Sequence, residues 1–263
     1  MPRFYSKPIN INSNLEKLEK SDYIFGIRPV LEALEASKSI DKILIKREIN
    51  GDLIKEVLAK ARELDVPMQR VPNEKLNRIT MKNHQGVIAI VCPVRYHNLD
   101  NLLVSLYEEG KTPLGIILDG VTDARNFGAI ARSAECAGAD FIIIPEKGSA
   151  SVTSDSVRSS AGALFHIPVC REKDLVHTIG RLHENGYKVV GASEKSSENY
   201  TEIDYKVPVA IVMGAEDTGL SPEVLRRCDQ LAAIPILGKV GSLNVSVACG
   251  VILYEAVRQR RVL

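Results

Sequence analysis

No stretch of this 263-residue chain stays apolar long enough to cross a bilayer. The amino terminus, Met1-Pro2-Arg3-Phe4-Tyr5, lacks an apolar signal core and a small-residue cleavage site. Cysteine is scarce: Cys92, Cys136, Cys170, Cys228 and Cys249 are odd in number, widely spaced and free of any CxxC pair. That spacing speaks against structural zinc and a disulfide framework, so a reduced cytoplasmic protein without membrane attachment is expected. The five histidines are scattered as well. His177 and His183, six apart in an amphipathic helical stretch, read as surface residues, and no metal is expected. No GxGxxG follows the first strand and no GxxxxGK[ST] occurs, which disfavours a nicotinamide enzyme or a phosphate-loop NTPase. There is no GxSxG, hence no nucleophile elbow.

Net charge is nearly absent, at +1, but it is unevenly spread. Residues 1–96 carry 17 Lys+Arg against 12 Asp+Glu, and residues 97–263 carry 17 against 21. A basic first part suits an anionic partner, although random surface charge gives the same split. The hydrophobic content of 45% is enough for a sizeable core in two domains.

Periodicity divides the chain into an extension over 1–22, a small α/β unit over 23–93, a linker and connecting helix over 94–112, and a larger α/β domain over 113–263. The extension is polar and expected to be flexible, with one short helix near 15–20. In the small unit, strands are expected at 23–25, 42–46, 66–71 and 87–92, with helices from Pro29, over 52–64 and over 72–79. Residues 94–98 read as linker and 99–109 as a helix. In the larger domain, strands are expected at 114–118, 141–144, 166–169, 187–192, 209–213 and 231–236. Most are separated by helical patterns, as in a mostly parallel sheet covered on both faces.

Three strand ends are chemically loaded, and ligands gather beyond the carboxyl ends of parallel strands. The first, Asp119 to Arg132, offers Asn126 as a helix start, with Arg132 six residues on and among small neighbours. Six residues rotate about 600°, so the two do not share a helix face. The second, Gly214-Ala215-Glu216-Asp217-Thr218-Gly219-Leu220-Ser221-Pro222-Glu223, ends in a cap, a first-turn proline and an acidic residue. That leaves Glu216, directly after a buried strand, without a structural explanation. The third is Gly238-Lys239-Val240-Gly241-Ser242-Leu243-Asn244-Val245-Ser246, where two glycines shape a turn and Ser and Asn can cap a helix. Taken alone it is either a bare capped helix or a ligand site.

Together, Asn126-x-Gly-Ala-Ile-x-Arg132, Gly214-x-Glu216-x-x-Gly219-Leu220 and Ile234-Pro235-x-x-Gly238…Ser242-Leu243-Asn244-Val245-Ser246 resemble the three ordered motifs of SpoU-type RNA ribose 2′-O-methyltransferases, in the SPOUT superfamily. Ala124-Arg125 and Leu237 depart from the family pattern outside the reacting groups. Phe25-Gly26-Ile27-Arg28-Pro29-Val30 and Asn83-His84-Gln85-Gly86-Val87-Ile88-Ala89 resemble the RNA-binding domain that precedes the catalytic domain in that family. The resemblance implies an L30e-like α/β RNA-binding domain followed by a parallel-sheet domain with a deep trefoil knot, an exception to unthreaded chains. It also implies a homodimer whose site is completed across the interface, with S-adenosylmethionine bound against Gly214, Ile234 and Leu243. By the same resemblance Arg132 acts on the ribose hydroxyl, and Asn126, Glu216, Ser242 and Asn244 arrange the site. Direct base catalysis by Arg132 and a purely orienting role remain rivals, with Glu216 as another base. Arg28 and Lys82 are the candidate RNA contacts in the first unit. The expected substrate is a guanosine of 23S rRNA. The alternatives are a tRNA ribose and a catalytically silent RNA-binding role in ribosome assembly.

Overall fold

The structure is a computed structural model that describes residues 23–36, 38–150 and 152–261. The expected 1–22 extension lies outside them. The chain divides into two compact units, one of residues up to 94 with 152–154 and one of the remainder.

The first unit runs β1 (Tyr23–Phe25), α1 (Ile27–Glu35), β2 (Ile40–Lys46), α2 (Asp52–Glu63), β3 (Met68–Val71), α3 (Asn73–Ile79) and β4 (Val87–Val91). Its sheet has the order β1-β4-β2-β3. Strand β4 is antiparallel to both neighbours, and β2 is parallel to β3. The period-two alternation of β2 sorts the core. Ile43 and Ile45 join Val30, Leu34, Ile54 and Val57 of α1 and α2 in one cluster. Leu44 joins Leu76 of α3 and Ile88 in another.

The second unit contains β5 (Tyr96–His97), α4 (Leu99–Glu108), β6 (Leu114–Leu118), α5 (Ala124–Ala137), β7 (Phe141–Pro145), α6 (Ser154–Ser159), β8 (Val169–Glu172), α7 (Leu175–Glu184), β9 (Lys188–Ala192), β10 (Val209–Met213), α8 (Pro222–Leu225), β11 (Gln230–Ala232) and α9 (Val245–Arg260). Its seven strands form one sheet of order β11-β9-β10-β6-β7-β8-β5. Every pairing is parallel. The central strands β6 and β10 are buried at all positions, which is why they read as unbroken apolar runs. Gly115 lies opposite Phe141, and a Cβ there would stand 2.2 Å from the aromatic ring. At the far end of α9, the Arg260 guanidinium donates to the carbonyls of Thr112, Pro113, Tyr205 and Val207, tying the helix to the entry of β6. Among the described residues no helix is long and apolar enough to cross a membrane.

Three expected elements differ. Residues 94–98 are not only linker, because Tyr96 and His97 pair with Val169 and Cys170 at the sheet edge, and the Arg171 guanidinium lies 4.4 Å from the Tyr96 ring centroid. The strand expected at 166–169 begins at Val169 instead. Gly162 at φ 87° opens a 3₁₀ turn over Ala163–Phe165, and Pro168, which has no N–H for the ladder, supplies only its carbonyl to Ile142. The strand expected at 231–236 stops at Ala232. Beyond it, Ala233 exchanges backbone bonds with Glu198 and Tyr200, and Pro235 cannot donate.

Candidate active site

Strand β6 sits between β7 and β10. From β6 the chain builds β7 and β8 on one side and then crosses to lay β9, β10 and β11 on the other. The carboxyl ends of β6 and β10 therefore flank the switch point, where α/β sheets open a crevice. Two bonds cinch these exits together. The Asp119 N–H donates to the Met213 carbonyl at 2.8 Å, and the Ser221 N–H donates to Asp119 Oδ2 at 2.6 Å. The turn after β10 folds back on itself, as Ala215 and Gly219 exchange N–H···O bonds of 3.0 and 2.9 Å. A Cβ on Gly214 would lie 2.3 Å from the Gly219 carbonyl carbon and 2.5 Å from the Leu220 nitrogen, so the turn accepts only glycine there.

Helix α5 starts beside this crevice, and its cap is Asp123, not Asn126. The Asp123 carboxylate accepts the N–H groups of Arg125 at 2.6 Å and Asn126 at 3.4 Å. The Arg125 guanidinium and N–H hold the Asp123 carboxyl below its ordinary range. Asn126 is thereby freed from capping and placed in the first turn. Helix α9 starts at Asn244, whose Oδ1 accepts the Ser246 N–H at 2.9 Å and the Ser246 hydroxyl at 2.6 Å. Two donors on Oδ1 fix the amide orientation, so Nδ2 points the other way.

The side chains from the three strand ends meet. Asn244 Nδ2 donates to Glu216 Oε1 at 2.7 Å and to Asn126 Oδ1 at 3.1 Å. Asn126 Nδ2 donates to the same Glu216 oxygen at 2.7 Å. One carboxylate oxygen is thus held by two amides, and among the described residues the second has no hydrogen-bond partner. Such a group can accept one more hydrogen bond from a hydroxyl.

Beside this triangle lies a cavity of ≈330 Å³ bounded by Gly214, Glu216, Ile234, Ser242 and Leu243, with Val245 and Ile252 of α9 behind them. It is at the small end for ligand pockets and combines an apolar wall with a few polar groups. Ser242 and Leu243 stand on the exposed segment leading into α9. Glu194 and Lys195, beyond β9, form another part of the rim together with Asp217. Sequence reasoning missed these three, although the charged pair directly after an apolar strand was a signal.

Arg132 is not among them. It is exposed on α5, about 9 Å along the helix from Asn126 by helical rise. Among the described residues it has no hydrogen bond or ion pair. Arg28 and Lys82 belong to the first unit and are both exposed; Lys82 Nζ lies 5.9 Å from the Phe25 ring centroid. No group of three or more His, Cys, Asp or Glu able to hold a metal occurs among the described residues.

Residues 113–254 match the SpoU rRNA methylase family, and residues 23–97 match the RNA 2′-O ribose methyltransferase substrate-binding family. A protein of Staphylococcus saprophyticus named for the TrmH family of tRNA/rRNA methyltransferases is 38% identical over 237 residues, 90% of this chain and 95% of its own length. The crystal structure of the SpoU methyltransferase AviRb from Streptomyces viridochromogenes with AdoMet has a TM-score of 0.59 at 26% identity, covering 96% of this chain and 99% of that one. The AdoMet-bound rRNA methyltransferase from Sinorhizobium meliloti scores 0.55 at 29% identity, covering 95% and 94%. The TrmH/SpoU tRNA modifying enzyme of A. aeolicus scores 0.51 at 31% identity, but covers only 62% of this chain and 84% of its own.

Proposed function

Because the chain belongs to the SpoU rRNA methylase family, we propose that it is an S-adenosylmethionine-dependent 2′-O-methyltransferase of a ribose in structured RNA, acting on a guanosine of 23S rRNA. The observation that carries the proposal is the Asn126–Glu216–Asn244 triangle beside the cavity at the switch point of the parallel sheet. The rRNA assignment is favoured by the first unit. The solved rRNA enzyme aligns along 95% of the chain, and the solved tRNA enzyme along 62%.

The residues present fit the cofactor. Gly214 allows the tight 214–220 turn that forms one wall of the cavity, Ile234 and Leu243 offer apolar faces to a purine, and Glu216 and Ser242 supply polar groups. When bound, S-adenosylmethionine would supply the methyl group, carried on a cationic sulfur that makes it a good electrophile. Glu216, held by Asn126 and Asn244, would receive the 2′-hydroxyl on its second oxygen, hold it in place and take up its proton as the oxygen is methylated. Alignment of this kind can provide about 7 kcal/mol of acceleration. A guanidinium is a poor proton acceptor, so Arg132 acts by orienting the hydroxyl or an adjacent phosphate. It serves the pocket of a second copy in a homodimer. The outward surface of α9 supports this, with Val247 and Tyr254 52% and 54% exposed. By the same family relation the β10–α9 region is threaded as a trefoil knot, the first unit is L30e-like, and the protein works in the cytoplasm.

The test is incubation with labelled S-adenosylmethionine and RNA from cells lacking the corresponding gene, followed by mapping of the methylated ribose. Label at one guanosine of 23S rRNA is the expected result. Label confined to tRNA would overturn the rRNA assignment. Cofactor binding without transfer to any RNA would overturn the enzymatic one.

A further inference from the structure

Resting on the ribose methylation proposed above, we infer that a hollow beside the Asn126–Glu216–Asn244 triangle reads the base of the target nucleoside and selects guanine. Asp123, Ala124 and Arg125 at the start of α5 line one side, and Asp155, Arg158 and Ser159 of α6 line the other. The hollow encloses ≈510 Å³ and lies wholly within the second unit. Chain geometry makes it a neighbour of the triangle. Asn126 follows Arg125 directly, about 1.5 Å further along the helix and about 100° round it. A ribose held at Glu216 and its own base can therefore occupy adjoining spaces.

The two sides carry the same charges but not the same free capacity. Asp123 is already engaged: Oδ1 accepts the N–H groups of Arg125 and Asn126, and Oδ2 accepts the Arg125 guanidinium at 3.1 Å. Asp155 and Arg158 are exposed and stand three residues apart on α6, a spacing at which opposite charges ordinarily meet. Yet among the described residues neither side chain has a hydrogen bond or an ion pair. An ionised carboxylate only accepts and a guanidinium only donates. Guanine is the base that answers both. Its N1–H and 2-amino group are adjacent donors, which a carboxylate takes on its two oxygens. Its O6 and N7 are adjacent acceptors, which a guanidinium takes with two N–H groups. Adenine and cytosine offer a carboxylate one amino donor beside a ring nitrogen that repels it, and uracil offers one N–H between two carbonyls.

The two helices are locked together where they meet. A Cβ on Gly128, three residues past Arg125, would lie 2.5 Å from both the Ser156 carbonyl oxygen and the Ser159 Cβ, so the backbones of α5 and α6 touch there. Ser159 Oγ donates to the Asp155 carbonyl at 2.8 Å, and the Arg125–Asp123 ion pair closes the opposite rim. Asp155 and Arg158 are thus set relative to Asn126 by helix packing, which spares a ligand part of the cost of ordering them. In a duplex the N1–H and 2-amino group of guanine are spent on its partner base. Reading them with a carboxylate requires the nucleoside to be splayed out of any helix. Base selection then sits in the same unit as the groups that hold the ribose hydroxyl.

The test uses the full chain and a synthetic RNA hairpin around the ribose found by mapping, made with guanosine, inosine or 7-deazaguanosine at that position. Transfer of labelled methyl gives kcat/KM for each pairing of enzyme and RNA. Inosine lacks the 2-amino group and 7-deazaguanosine lacks N7, so each should react about tenfold less well than guanosine with the native chain. Asp155→Ala should lose about tenfold on guanosine and cease to distinguish inosine, while still rejecting 7-deazaguanosine. Arg158→Ala should show the reverse pattern. Melting temperature and calorimetric affinity for S-adenosylmethionine should be unchanged in both, since these side chains are exposed and lie outside the cofactor cavity. Variants that keep both discriminations, or that lower all three RNAs equally, would overturn the guanine hollow while transfer by the native chain leaves the enzymatic proposal standing. A mapped ribose that carries another base would do the same. Absence of transfer to any RNA would sink both.

Discussion

Replacing Asn244 by serine separates two jobs that one side chain performs. Its Oδ1 caps α9 through Ser246, while its Nδ2 braces Glu216 and Asn126. Serine caps helices about as well as asparagine, so Asn244→Ser should alter stability by less than about 0.5 kcal/mol. For a chain of this size that is about 1–2 °C in Tm. A serine hydroxyl, however, is too short to reach Glu216. Two bonds are lost, each of about 1 kcal/mol, in a group that must hold its position as the methyl moves. If that support is felt fully in the transition state, about 2 kcal/mol is withdrawn and kcat falls about 30-fold.

Asn244→Ala loses the cap as well and should melt a further 2–4 °C lower, for about 1 kcal/mol. The assay is steady-state transfer of labelled methyl at saturating RNA, with scanning calorimetry on the same preparations. A positioning role predicts that KM for the cofactor stays within about twofold while kcat falls, because the ground state makes no use of the bracing. A serine variant with native kcat would refute the reasoning. So would a series in which kcat merely follows Tm, since Asn244 would then be a cap and nothing more.

Three further outcomes can be measured. Mixing separately inactive Arg132→Ala and Glu216→Ala chains should restore about a quarter of native activity, because half the dimers are mixed and each of those rebuilds one of its two sites; no recovery would mean that Arg132 serves its own chain. Arg260→Ala should cost about 3 kcal/mol, or about 6–12 °C in calorimetry, since four carbonyls lose their donor around a half-buried guanidinium. Arg258 donates to Glu255 and holds its carboxyl below the ordinary value of 4.5, so the stabilisation is complete above that value and lost as pH falls through the lower folded-state one. Glu255→Gln should accordingly flatten the acid limb of the pH–Tm profile and leave the neutral region lower but level.

How much of this was legible depended on how local the cause was. The strands β6, β7 and β10 are buried on both faces, so composition alone marks them. The two-residue strand β5 exists only because β8, 73 residues further along, passes beside it, and no local pattern carries that information. The strand starting at Val169 was displaced by a left-handed glycine seven residues earlier, which opens a 3₁₀ turn before the strand. At the site, sequence order could name Asn126, Glu216 and Asn244 but could not show that they touch, because they lie 90, 118 and 28 positions apart. What joins them is the switch in strand order, which puts the ends of β6 and β10 side by side. The reading of Asn126 as the helix start failed for a simple reason. Asp123 stands three residues earlier and, as a carboxylate, caps at least as well.

That displacement of the cap has a consequence for Arg132. Had Asn126 capped α5, its Oδ1 would have been spent on backbone N–H groups of the helix and Asn244 Nδ2 would have lost that acceptor. With Asp123 in that role, the α5 start contributes to the pocket of its own chain, while Arg132, two turns on, faces solvent. A helix that sends its first turn into one pocket and its second turn outward is poorly suited to serve a single site. It is well suited to serve two. The same helix packs against α9, where Gly250 lies close to Ser133, and α9 leaves Val247 and Tyr254 uncovered. Burying those two side chains against a second copy would contribute about 3 kcal/mol, assuming about 1.5 kcal/mol for each. It would also take the guanidinium out of bulk water, where its hold on an RNA phosphate is less screened. On this account the apolar stripe and the unpartnered cation have one explanation, and the mixing experiment tests them together.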